Sequence, residues 1–157
     1  MKPSHKTGIA FGLTSGVITT LGIIIGLQAA TSLKLAVIAG ILTIAISDAF
    51  SDAIGIHVSQ ESHEKNNHEE IWEATISTFL AKLVTALTFL VPVLIFSLKN
   101  AIIVDLAWGV FLIVTFNFYL AKSRNESPLA TIAEHLAITV VVITITHYVG
   151  VLISMYF

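Results

Sequence analysis

The stretch that decides the architecture is Thr43-Ile-Ala-Ile-Ser-Asp-Ala-Phe-Ser-Asp-Ala-Ile-Gly-Ile-His57. It lies inside an apolar run long enough to cross a bilayer, and it carries two acids, Asp48 and Asp52. Four residues apart on a helix, the two carboxylates stand one above the other on a single face. Ser47 and Ser51 sit beside them, while Ile44, Ile46, Phe50 and Ile54 give the segment its apolar surface. An ionised carboxylate near the middle of a membrane helix costs roughly 2.5–3.5 kcal/mol on insertion scales. Intramembrane acids mark ion or proton paths far more often than they serve as plain structure. The pair is therefore read as a candidate cation and proton site, against the blander reading of two acids satisfied by hydroxyls and a lysine.

Working outward, the composition demands lipid as solvent. Of 157 residues, 55% are hydrophobic and 11% charged, against about a quarter charged in a soluble domain. The net charge of −2 and the lack of a Lys/Arg cluster argue against nucleic acid as a partner. With no cysteine, disulfides, thiolate sites and iron–sulfur clusters are excluded.

A span needs about 20 mainly apolar residues. Five segments qualify, at about 8–30, 33–56, 74–98, 101–121 and 129–156, which makes residues 1–157 one all-α transmembrane domain. The first run is too long for a signal-peptide core and more spans follow it, so it is read as a retained helix. Lys2, Lys6, Lys65, Lys122 and Arg124 fall on the side of the N-terminus, and Lys34 and Lys99 on the other. The positive-inside bias then places the N-terminus in the cytosol and the C-terminus outside, in the plasma (inner) membrane if the source is prokaryotic.

The first helix holds Gly8, Gly12 and Gly16 at four-residue steps, then Gly22 and Gly26. Small residues at this spacing let helix backbones approach closely, either within one chain or across a homodimer axis. Ser15 and Thr19 add hydroxyls at mid-helix. The third span carries Lys82 about two turns in, where it either snorkels to the headgroups or reaches Asp52 as a counter-ion. Pro92 is expected to kink that span near its outer end. Asp105 and Asn117 read as shallow interface residues, Ser127-Pro128 as a helix start, and His147 as a packed histidine.

The segment 57–73 is the one long polar connection, with three histidines, five glutamates and one lysine. If it were helical throughout, His57, Glu61, Glu64 and His68 would share a face suited to capturing Fe, Mn or Zn. Asn66-Asn67 is expected to break such a helix, since Asn competes for backbone hydrogen bonds. The prevailing reading is a solvated loop, and metal capture is the minority one.

Leu13-Thr-Ser-Gly-Val-Ile-Thr-Thr-Leu-Gly-Ile-Ile-Ile-Gly-Leu-Gln-Ala-Ala30 resembles the first-helix signature of the vacuolar iron transporter family, commonly Asn-Asp-Gly-(Ile/Leu)-Val-Thr followed by Leu-Gly-x-x-x-Gly. Ala45-Ile-Ser-Asp-Ala-Phe-Ser-Asp52 is similar to its second-helix segment, commonly Ala-Leu-Ser-Met-Ala-Ala-Gly-Glu. The resemblance implies a homodimer whose first two helices line a path for Fe²⁺ or Mn²⁺, exported from the cytosol in exchange for protons. It also implies metal capture by acidic cytosolic groups. Three departures stand out. The first-helix aspartate is Ser15 here, and the second-helix methionine and glutamate are Asp48 and Asp52. The cytosolic segment is much too short for the family's metal-binding domain. Oxygen-only ligation by Asp48 and Asp52, with hydroxyls such as Ser15, Thr19 and Ser51, suits hard divalent ions, Mg²⁺ and Ca²⁺ as well as Mn²⁺ and Fe²⁺. Carboxylate ligation of a metal competes with protonation, and that competition is the elementary step of an antiporter. The other expectations are a passive cation channel, or a non-transporting scaffold or metal-responsive regulator. No cofactor is expected beyond a divalent ion as transported substrate. An enzyme is the least favoured reading, since no HExxH motif is present.

Overall fold

The computed structural model describes residues 2–62 and 67–157. Six helices follow in order: α1 Pro3–Thr31, α2 Lys34–Glu61, α3 His68–Thr88, α4 Leu90–Ile95, α5 Leu98–Arg124 and α6 Pro128–Tyr156. With α3 and α4 taken as one span, five helices are long and apolar enough to cross a bilayer. The chain is a multi-pass, all-helical membrane protein, as hydrocarbon requires of a backbone that must satisfy its own hydrogen bonds. α1 and α3 begin more than a turn before their apolar segments and α2 ends more than a turn after its own, so parts of 57–73 expected as a loop are helical; α6 keeps its expected bounds to within a residue.

The third span breaks where Pro92 dictates. Proline has no N–H, so the Thr88 carbonyl four residues earlier loses its helical partner. The chain turns at Phe89, whose N–H donates to the Ala86 carbonyl at 3.2 Å, and restarts as α4. Trp108 Nε1 donates to the Thr88 hydroxyl at 2.9 Å and fixes the break against α5. Lys34 Nζ donates to the Leu94 and Phe96 carbonyls at 3.2 and 3.0 Å, covering orphan acceptors at the end of α4.

Asn67 caps α3 through a reciprocal box. Its Oδ1 accepts from Glu70 N at 2.9 Å, while Glu70 Oε2 accepts from Asn67 N at 3.4 Å. At α6, Ser127 and Pro128 take the expected N-cap and N1 positions, although the Ser127 side chain makes no capping bond.

α1 is the centre of the bundle, packing most extensively on α3 and also on α6, α2 and α5. Its glycines explain why. A Cβ at Gly12 would sit 2.5 Å from the Thr78 carbonyl oxygen, and one at Gly8 would press 2.8 Å from Ser77 Cβ. At Gly16 the contacts are with Thr85, at Gly22 with Val142 and at Gly26 with Thr146. The glycine stripe is thus a seam within one chain, with Gly8, Gly12 and Gly16 meeting α3, and Gly22 and Gly26 meeting α6. The alternative, that these glycines form the contact between two copies, does not describe Gly8, Gly12 and Gly16, which α3 already covers. Gly150 completes the α6 side, lying against the Gly26 carbonyl and 2.8 Å from Ala29 by the same measure. The interior is filled by Val17, Leu21, Ile24, Val37, Ile41, Phe89, Val93 and Ile113. Outward faces are apolar, as lipid contact requires.

Candidate functional site

Asp48 and Asp52 do lie on one face of α2, and the bundle brings Lys82 to them. At 1.5 Å per residue, Asp48 lies about 20 Å from the α2 C-terminus and Lys82 about 21 Å from the α3 N-terminus, at matching depths. The Lys82 ammonium contacts Asp48 Oδ2 at 2.6 Å, pairs with Asp52 Oδ2, and donates to Ser15 Oγ at 2.8 Å. Ser15 in turn donates to Asp52 Oδ2 at 2.7 Å. The ammonium therefore donates hydrogen bonds to Ser15 and Asp52 and forms an ion pair with Asp48. Close approach at Gly12 and Gly16 is what lets the lysine stem cross α1 to reach Ser15. Lys82 is 1% exposed, so the snorkelling alternative does not hold.

The centre is not sealed. The Asp48 and Asp52 side chains remain 29% and 18% exposed. Asp48, Ser47, Ser51 and Thr19 line a cavity of about 740 Å³ whose other walls are α1 and α6. A second cavity of about 550 Å³ takes in Ser15, Thr19, Thr7, Arg124, Thr131 and His135. Thr19 belongs to both, so the two lie along the same side of α1 as one trench; Asp48 lines its first part and Ser15 its second, while Asp52 and Lys82 line neither. The Thr19 hydroxyl donates to its own helix, to Ser15 O at 2.9 Å, and Ser47 does the same to Thr43 O. Of the residues expected at the site, Asp48, Asp52, Ser15, Thr19 and Ser51 are therefore brought together, with Lys82 as their counter-ion.

The expected cytosolic capture group is not assembled. α2 ends at Glu61 and α3 starts afresh at His68, so His57, Glu61 and His68 do not share one helical face; Glu64 lies outside the described residues. His57 Nδ1 is 2.9 Å from Thr75 Oγ1, its Nε2 is 3.6 Å from Glu61, and its ring meets Trp72 edge-on. His68 Nε2 accepts from Trp72 Nε1 at 3.2 Å. Among the described residues, no three His, Asp or Glu side chains are grouped to hold a metal. The same end is tied by Lys2, which pairs with Glu73 and Glu69, by Ser4, which donates to Glu73 at 2.6 Å, and by His5 against Ser77. Its bonds to Glu73 and then Glu69 hold the Lys2 ammonium above the usual lysine range.

Three polar residues differ from expectation. Asp105 and Asn117, expected at the interfaces, are fully buried on the inward stripe of α5. Neither Asp105 oxygen has a hydrogen-bond partner, and Asn117 Oδ1 also has none. The stripe Ala101, Asp105, Gly109, Ile113, Asn117, Ala121 has a four-residue period, and this was the signal available in the sequence. His147, expected to be packed, is exposed beside Tyr148, because α6 lies at the edge of the bundle.

Fold and site together define a five-span membrane protein with an intramembrane carboxylate–lysine–carboxylate centre facing a lateral trench. No family model and no curated protein sequence matches the chain.

Proposed function

We propose that the chain is a transporter of divalent metal cations, Fe²⁺ or Mn²⁺ foremost, exchanging them for protons and exporting metal from a cytosol on the side of its N-terminus. The observation that carries this reading is a pair of mid-span carboxylates, Asp48 lining a cavity and Asp52 one turn away, held by an ammonium that stands where a cation would bind. Such pairs of charge in hydrocarbon are expensive and belong to ion paths. Lys82 satisfies the centre while it is empty. A metal ion entering from the trench takes Asp48 and Asp52 by displacing the lysine, with Ser15, Ser51 and Thr19 as neutral oxygen ligands. Two carboxylates underfill the shell of a hard divalent ion, which retains water or draws further oxygens from across the trench. In this reading a second copy of the chain closes the open side of α1 and makes the trench a path, giving a homodimer in the bilayer. Protonation of the carboxylates releases the metal on the far side, because proton and metal compete for the same oxygens.

A second reading has its own support. An ammonium hydrogen-bonded to Ser15 and Asp52 and paired with Asp48 also describes a purely structural clasp, as in a scaffold or regulator that carries no ions. Flux decides between them. Proteoliposomes holding the full chain should accumulate Mn²⁺ when a pH gradient is imposed, and D48N or D52N should abolish that uptake. Uptake indifferent to the gradient would make the protein a passive channel. Mn²⁺ binding without flux in the wild type would leave the regulator.

A further inference from the structure

We propose that Asp105 is a second proton-binding site, separate from the Asp48–Lys82–Asp52 centre, and that the proton it holds is exchanged during transport. Asp105 is 0% exposed, and both of its carboxyl oxygens lack any partner. An ionised carboxylate buried without a counter-ion is untenable in a low-dielectric interior, so the group is a neutral carboxylic acid. No cation is placed to change this. α5 packs on α1, α4 and α6, and touches α3 through Trp108. On α1 the titratable groups Lys2, His5 and Lys6 are at the far end, and α4 has none. On α3, Lys82 is committed to Ser15, Asp48 and Asp52. On α6, Glu134 and His135 lie toward the opposite end, and His147, Tyr148 and Tyr156 are exposed. On α5 itself Lys99 is exposed, and nearby Lys34 is bound to backbone carbonyls.

Position adds to the case. Asp105 lies about 10 Å from the start of α5, in the half of the bundle that the charge centre leaves free of acids. One turn along, Gly109 meets Leu21 of α1, and Leu21 adjoins Thr20, whose buried hydroxyl is also without a partner. α1 thus touches the charge centre through Ser15 and the Asp105 region through Leu21. Any displacement of α1 by a cation bound at the charge centre would be transmitted to both, and entry of water beside Thr20 would let Asp105 release its proton. The exchange role rests on the transport reading above; the protonated state does not.

The test uses the full chain in lipid. Infrared spectra at neutral pH should show a protonated-carboxyl band in the wild type, retained in D48N and D52N and lost in D105N. D105N, a neutral isostere, should keep the wild-type unfolding midpoint; should it fail to fold, D105E should shift the band instead. In proteoliposomes, D105N should lower the ratio of protons to Mn²⁺ while Mn²⁺ uptake persists. Absence of the band, its survival in D105N, or an unchanged ratio in D105N overturns the proposal. Absence of any flux in the wild type would instead refute the transport reading, and the band would still report on Asp105.

Discussion

Replacing Lys82 with Met tests the charge centre most directly. The side chain keeps its length and loses its ammonium, which leaves Asp48 and Asp52 one turn apart on α2 with no counter-ion. At an effective dielectric of about 20, the 2.6 Å contact to Asp48 represents a gross attraction of about 6 kcal/mol, much of it opposed by desolvation. Removing one member of a buried ion pair costs about 3–5 kcal/mol, because the remaining charge is stranded. Both carboxylates keep some exposure, at 29% and 18%, so the low end applies and K82M should lose about 3 kcal/mol. Neutralising the acids as well, in K82M/D48N/D52N, should return most of that loss, and the difference measures their coupling. Equilibrium unfolding in detergent micelles followed by circular dichroism reads both quantities. Mn²⁺ should stabilise K82M more than wild type, since no lysine competes for the site. A loss below about 1 kcal/mol, or a triple variant no more stable than K82M, would show that the aspartates do not depend on Lys82.

Other consequences follow from the packing and caps. Gly12→Val should destabilise the protein by at least about 1–3 kcal/mol, because its first atom meets the Thr78 backbone oxygen and not a yielding side chain. Gly55→Ala is the matched control: nothing lies within 4 Å of the added methyl, and the helix gains about 0.8–1 kcal/mol of propensity. Equal thermal shifts for these two variants would contradict the seam. Asn67→Ala should cost about 1 kcal/mol and speed amide exchange in the first turn of α3, where the capping box is lost. Unchanged exchange at Glu70 would count against the cap.

The presence of five helices was legible because it depends only on local quantities. Run length, the absence of charge and the need for internally bonded backbone require no knowledge of neighbours. The break after Thr88 belongs to the same class, since Pro92 removes a hydrogen bond wherever the helix lies. The start of α3 does not, since 57–73 reads as a polar loop whereas Asn67 and Glu70 cap a helix that begins at His68. The alignment of Asp48 and Asp52 follows from helical period alone.

What lies between helices was settled only in three dimensions. Hydropathy placed Asp105 near an end of its span, but burial depends on which way a helix turns, and α5 turns Asp105 and Asn117 inward. The histidines at 57 and 68 share a spacing but not a helix, because a cap at Asn67 divides them. In lipid no hydrophobic force selects a helix's partners, so backbone approach and polar contacts do. That is why the sequence alone left Lys82 between the headgroups and Asp52, and why the glycine seam of α1, by seating α3, decided for the aspartates.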